Sequence, residues 1–174
     1  MWETFLKSWN GKSFFLNQCW ETSTSLRLYT DASGSAGFGG IHGSQWFQGR
    51  WASHQALNVA GISIAWQELY AIVVACYIWG AQWKKKRVLF YCDNAAVVAI
   101  FNTKKSKCEQ IMKLVRSLTL VTLKYNFHFK AKHIPGARNE IADSLSRFQV
   151  ERFRQLAPWA DREPQPIAEV VCGP

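Results

Sequence analysis

Asp31, Glu68, Asp93 and Asp143 each stand where a strand-like apolar run ends or a helix-like run begins. They sit in YTDASG (29–34), WQELYAI (66–72), FYCDNAAVV (90–98) and HIPGARNEIADSLSR (133–147). Acids so far apart along a chain meet only if a fold gathers them. Once gathered they repel one another unless divalent cations neutralise them, and hard oxygen donors suit Mg²⁺ or Mn²⁺. A pair of such ions activates a water and stabilises a leaving oxygen in phosphodiester cleavage. Singly, each acid has an ordinary use: Asp31 as a turn residue, Glu68 at the positive end of a helix, Asp93 as an N-cap, Asp143 as a first-turn acid. The four together carry the functional reading.

The elements between them are legible. Leu26, Leu28 and Tyr29 form a strand ending at Asp31, followed by the glycine-rich GSAGFGG (34–40) and a hairpin turn at Gly43-Ser44, so three antiparallel strands cover about 25–51. Residues 52–63 read as loop. Leu69, Ile72, Val73, Cys76 and Trp79 give helical spacing over about 65–83, with a broad apolar stripe and a Lys84–Arg87 run at its end. Val88–Cys92 is a continuous apolar strand of the kind covered on both faces. Helices follow at about 94–102 and 108–123, separated by a basic turn, and then Tyr125, Phe127 and Phe129 alternate as a strand. Pro135-Gly136 is a turn, and Asn139 is placed to cap the short helix bearing Asp143. The order is βββαβα(α)βα. Residues 1–24 read as an irregular aromatic arm and 25–148 as the domain. Residues 149–174 read as a brief helix and a linker carrying Pro158, Pro164, Pro166 and Pro174.

Lys and Arg outnumber Asp and Glu by 21 to 12 in 174 residues, for a formal charge of +9, which points to a polyanionic partner, nucleic acid ahead of membrane. The apolar run Ala71 to Ala81 has eleven residues, too few to cross a bilayer. Five cysteines without a C-x-x-C pair give neither a zinc site nor a disulfide framework. Cys76 and Cys92 read as small buried hydrophobes, and an intracellular, reducing compartment is expected.

TDAS, ELYAIVVA, CDNAAVV and HIPGARNEIADSLSR, in that order across about 120 residues, resemble the four signatures of ribonuclease H. The likeness is to the domain that follows reverse transcriptase in retrotransposons. WETFLKSWNG and RFQVERFRQLAPWADREPQP are further similar to the flanks of this domain in DIRS-like retroelements. The resemblance implies an α/β ribonuclease H-like fold: a mixed five-stranded sheet, three strands antiparallel and then two parallel, flanked by helices. It implies that Asp31, Glu68, Asp93 and Asp143 bind two Mg²⁺ ions, with Mn²⁺ as the alternative. His133, ten residues before Asp143, matches the family's mobile catalytic histidine, and Asn139 its neighbouring asparagine. Ser63 stands where relatives bind a DNA phosphate. Contacts to an RNA–DNA hybrid are expected from Ser33, Gly34, Ser63, Asn94, Lys104, Lys105, Lys107, Arg138 and Asn139. The implied activity is cleavage of the RNA strand of the hybrid, beside the reverse transcriptase domain of the same polyprotein, by a piece that is monomeric in isolation.

The chain also departs from the pattern. Ile64 and Ala65 stand where several relatives carry amides, and Ala95 where a glutamine is common. Two other readings stay open: a non-catalytic module that tethers nucleic acid, and a DNA nuclease or transposase of the same architecture.

Overall fold

Glycine lets the first three strands and a distant helix come together. The computed structural model describes Glu3, Lys7, residues 19–135 and residues 139–167. Strands β2 (Leu28–Ala32), β3 (Gly37–His42) and β4 (Gln45–Arg50) form an antiparallel meander, turning at Gly43, whose φ of 62° is in the left-handed region. Asp31 pairs with Gly39 across the β2–β3 ladder. A Cβ at Gly39 would lie 2.5 Å from the Cβ of Leu145, so its absence lets the helix carrying Asp143 lie directly on the sheet.

The expected three antiparallel and two parallel strands are present. Hydrogen bonding divides them between two sheets and adds a strand. β5 (Arg87–Cys92) pairs in parallel with β6 (His128–His133) on one side and with β1 (Trp20–Thr22) on the other. β1 falls in the stretch read as irregular arm, and the boundary at residue 24 cuts the single turn α1 (Ser23–Leu26) that joins it to β2. β1 occupies the edge of Arg87–Leu89, so β2 lies against β5 without a ladder of its own among the described residues.

The broad apolar stripe expected of the core helix α2 (Ile64–Trp79) runs round nearly all of it, interrupted at Gln67 and Glu68, and the helix is buried between the β2–β3 face and helix α4 (Glu109–Tyr125). Ile64–Trp83 is one stretch long and apolar enough to cross a membrane, and 72% of it is buried in the protein. Trp79, Trp83, Phe47, Phe90, Phe101 and Phe127 fill the centre; each such burial is worth about 2–3 kcal/mol.

Val88, Phe90 and Cys92 point into the core, while Arg87, Leu89 and Tyr91 are half-buried on the other side. The last strand begins three residues later than the aromatic alternation indicated, because Tyr125 still belongs to α4 and Asn126, at φ 54°, ends that helix. Helix α3 (Ala95–Thr103) contributes Asn102, whose amide donates to the carbonyl of Ala131 and accepts from its N–H, both at 2.9 Å. That side chain seals part of the free edge of β6.

The tail read as a linker is ordered structure as far as Ile167. Helix α5 (Glu140–Ser146) is followed by α6 (Val150–Leu156), and Phe153, Ala157 and Ala160 close a second core with Ile41, Trp46 and Leu145. Asp161 N–H donates to Ser44 and Gln165 N–H to Trp46, at 2.8 and 2.7 Å, covering the edge of β4. Phe153, Ala157 and Ala160 of RFQVERFRQLAPWA dock on the outer sheet face, and this is why the segment folds.

Candidate active site

Four different elements deliver the four acids to one cleft, which Ser33, Gly34 and Arg147 also line. Asp31 is the penultimate residue of β2 and is only 9% exposed. Glu68 lies in the second turn of α2, whose N-cap Ser63 accepts from the N–H of Trp66 at 3.2 Å. Asp93 follows the last residue of β5, immediately before the N-cap of α3. Asp143 projects from α5, and that helix is tied to β2 beside Asp31: Asn139 Nδ2 donates to the carbonyl of Thr30 at 2.9 Å. Asn139 therefore holds the helix to the strand rather than capping it through its side chain.

Two of the carboxyls hold their protons more tightly than an ordinary carboxylic acid does. Burial, then Asp31 and Asp93, push Glu68 up to about 9. Asp31 is also raised, chiefly by burial and further by Asp143 and Asp93, against the opposing hydrogen bond from Ser146 and the charge of Arg147. Ser146 Oγ donates to Asp31 Oδ2 at 2.5 Å, so Asp31 and the helix of Asp143 are locked together. Asp143 differs: Arg147 and Arg152 both pair with it, at 2.7 and 3.2 Å. Among the described residues no ion pair involves Asp31, Glu68 or Asp93.

Buried acids such as Asp31 and Glu68, with no ion-pair partner among the described residues, are what a hard cation satisfies. Ligand atoms of Glu68, Cys92 and Asp93 all lie within 4.8 Å of one another. The Cys92 thiol, pushed up to about 12 by burial, stays protonated and is no partner for a hard ion. Glu68 and Asp93 are then the hard oxygen donors of this group, and Asp31 and Asp143 line the same cleft beside them.

His133 stands at the rim of this cluster. Its Nε2 lies 3.1 Å from the carbonyl oxygen of Asp93, and the ring is exposed. In this pose Nε2 carries the proton.

No protein-family model matches the chain, and no curated protein does. Among solved structures, the N-terminal RNase H domain of Rv2228c from Mycobacterium tuberculosis, solved as a fusion with maltose binding protein, aligns at a TM-score of 0.49 and 16% identity. That alignment covers 75% of this chain and 94% of that one. RNase H1 from the halophilic archaeon Halobacterium salinarum NRC-1 aligns at a TM-score of 0.48 and 16% identity, over 71% of this chain and 96% of its own. Likenesses this distant decide nothing about activity.

The residues expected to touch nucleic acid divide into three groups. Ser33 and Gly34 line the cleft; the Ser33 carbonyl accepts from Trp51 Nε1 at 2.7 Å. Ser63 and Asn94 act as helix caps, Asn94 accepting from the N–H groups of Ala96 and Val97. Lys105 and Lys107 are exposed, whereas Lys104 turns inward. Its Nζ donates to the carbonyl of Phe101 and sits 3.6 Å from the centroid of the Phe129 ring. Burial pushes this ammonium down to about 8. Lys104 ends α3 at φ 58°, and this left-handed backbone aims the side chain at the core. In this structure Lys104 thus packs on Phe101 and Phe129; Arg138 lies outside the described residues.

Ser146, Arg147, Arg152 and Gln67 escaped the sequence reading. Gln67 Nε2 donates to the carbonyl of Gln55 at 3.1 Å and reaches that of Gly34 at 3.5 Å, anchoring the rim of the cleft to the core helix. Ser146 and Arg147 lie three and four residues after Asp143, on the same helix face, which is a signal the sequence does carry. Arg152 reaches Asp143 only through the turn between α5 and α6.

Proposed function

We propose that this protein is an endoribonuclease that hydrolyses the RNA strand of RNA–DNA hybrids with two divalent ions. We place it in a retrotransposon polyprotein, acting with that protein's reverse transcriptase domain inside the cell. The observation that carries the reading is the convergence of Asp31, Glu68, Asp93 and Asp143 from β2, α2, the end of β5 and α5 into one cleft. The sequence motifs, which resemble ribonuclease H in all four signatures, supply the choice of substrate.

The four acids would hold the ions. When bound, Mg²⁺ or Mn²⁺ supplies an activated water and neutralises the charge that builds on the scissile phosphate. Glu68, whose carboxyl is pushed up to about 9, would give up its proton on taking this role. Asp93 keeps a fixed place because its neighbour Asn94 caps α3. His133, exposed and in reach of the cluster, is placed to accept a proton and hand it to solvent as product leaves. Lys105 and Lys107 supply phosphate contacts from the loop after α3, and 2′-hydroxyl contacts select the RNA strand.

The test is to incubate the protein with end-labelled RNA–DNA hybrid, double-stranded RNA and duplex DNA, with Mg²⁺ and with EDTA. Metal-dependent cleavage of the RNA strand of the hybrid is expected, abolished in Asp93→Asn with hybrid binding retained. Preferential cutting of duplex DNA would reassign the protein to DNA processing. Binding of the hybrid without any cleavage would make it a tether.

A further inference from the structure

Cys92, the last residue of β5, brings a thiol into the acidic cluster that the proposed hydrolysis does not use. Its Sγ and the carboxylate oxygens of Glu68 and Asp93 lie within 4.8 Å of one another, so donors from α2 and from the end of β5 face one point. Glu68 is 9% exposed, and among the described residues neither a hydrogen bond nor an ion pair reaches its carboxyl. A buried carboxyl without a partner, facing a sulfur, calls for a cation that accepts both donors. The sulfur is itself held in place. It accepts from the N–H of Asn94 at 3.4 Å, and the thiol donates to the Asn94 carbonyl at 3.8 Å. The first of these bonds persists on a thiolate, where it orients the ligand and favours its charged form.

We infer that Glu68, Cys92 and Asp93 form a site for a thiophilic divalent cation, Zn²⁺ above all, whose binding excludes the hard ions. Donor chemistry separates the two classes: Mg²⁺ and Mn²⁺ prefer oxygen alone, whereas Zn²⁺ takes thiolate and carboxylate together. Bonds of about 2.1 Å to oxygen and 2.3 Å to sulfur set tetrahedral donors about 3.6 Å apart, so the three side chains close by about 1 Å at most. Three protein ligands leave the fourth position to water. On binding, a metal–sulfur bond replaces the S–H bond and the proton passes to solvent; no electron is transferred. Glu68 and Asp93 then coordinate a single soft ion, and the pair of hard ions cannot assemble. The chain shows no zinc spacing because Glu68 comes from a distant helix. Only the exclusion rests on the proposed nuclease reading; the binding itself does not.

The test titrates Zn²⁺, and separately Mn²⁺, into the full chain by calorimetry. Cd²⁺ serves as a spectroscopic probe, because its bond to a thiolate gives an ultraviolet charge-transfer band. Cys92→Ser is expected to weaken Zn²⁺ binding by at least about tenfold, the least that disturbing a metal's ligand shell costs, and to leave Mn²⁺ affinity within about twofold. The Cd²⁺ band should also be smaller in the variant; every other cysteine contributes equally to both proteins and cancels in the difference. Cys92→Ala, which buries no hydroxyl, is the second variant. With Mg²⁺ present, Zn²⁺ should stop hybrid cleavage at about tenfold lower concentration in the wild type than in Cys92→Ala. Equal inhibition of the two would overturn the exclusion. Equal Zn²⁺ affinity in a folded variant, or a wild type without the Cd²⁺–thiolate band, would overturn the site, whether or not the protein cleaves hybrids.

Discussion

Arg147 Nε lies 2.7 Å from Oδ1 of Asp143, closing an ion pair one helical turn long on an acid of the proposed metal site. Arg152 Nη1 takes the other oxygen at 3.2 Å and also reaches Gln149 at 3.1 Å. A divalent ion that uses Asp143 must compete with both guanidinium groups.

That competition is measurable. Exchange among partly exposed charges is worth about 0–1 kcal/mol. Arg152→Ala should therefore lower the Mn²⁺ concentration at the midpoint of the thermal shift by about two- to fivefold. Arg147→Ala should act in the same direction. An unchanged or higher midpoint in both variants would show that Asp143 does not meet the ion.

Glu68 makes stability depend on pH. Its folded carboxyl is pushed from the ordinary 4.5 up to about 9, so the folded protein holds this proton more tightly than the unfolded chain does. The stability so gained is complete below about pH 4.5 and is lost as pH rises toward 9. Metal-free protein should melt progressively lower between pH 6 and 9, and Glu68→Gln should flatten that slope while abolishing cleavage. Melting curves in EDTA decide the matter; an equal slope in the variant refutes it.

Ser146 provides a test of how Asp31 is held. Its hydroxyl donates to Asp31 Oδ2 at 2.5 Å in a fully buried setting. Ser146→Ala leaves a buried carboxyl short of a partner and should cost about 1–3 kcal/mol in urea unfolding. The same change should reduce hybrid cleavage, since Asp31 loses its fixed orientation. A variant as stable as the parent would assign the hydroxyl no part in the site.

The brief helix expected after residue 148 is present as α6, and it covers the outer sheet face. Phe153 is fully buried against Trp46, their rings 5.0 Å apart. Phe153→Ala should cost about 3–5 kcal/mol. Truncation after residue 148 should expose Ile41, Trp46 and Leu145 and favour aggregation. A truncated protein that melts with the full chain would return the segment to the status of linker.

The sequence revealed most where periodicity and chemistry coincide. Asp31, Glu68, Asp93 and Asp143 declared themselves because each sits at an element boundary, and the Gly43-Ser44 turn and the core helix followed from local pattern. Contacts set by tertiary placement stayed hidden. Nothing local to Trp20–Thr22 shows that it will take the edge of β5, and nothing near Arg152 shows that a turn will return it to Asp143. Lys104, Lys105 and Lys107 look alike in sequence, while a left-handed residue turns one of them onto Phe129. Ser63 and Asn94 carry hydroxyl and amide groups that suit a phosphate as well as a helix N-terminus, and the sequence does not distinguish those uses.

The most direct test is calorimetric titration of Mn²⁺ into the wild-type protein and into Asp31→Asn. Saturable binding to the wild type, lost or weakened at least tenfold in the variant, is the result expected if the buried carboxylates act together as one cation site. Equal binding by both proteins, or none by the wild type, would contradict it.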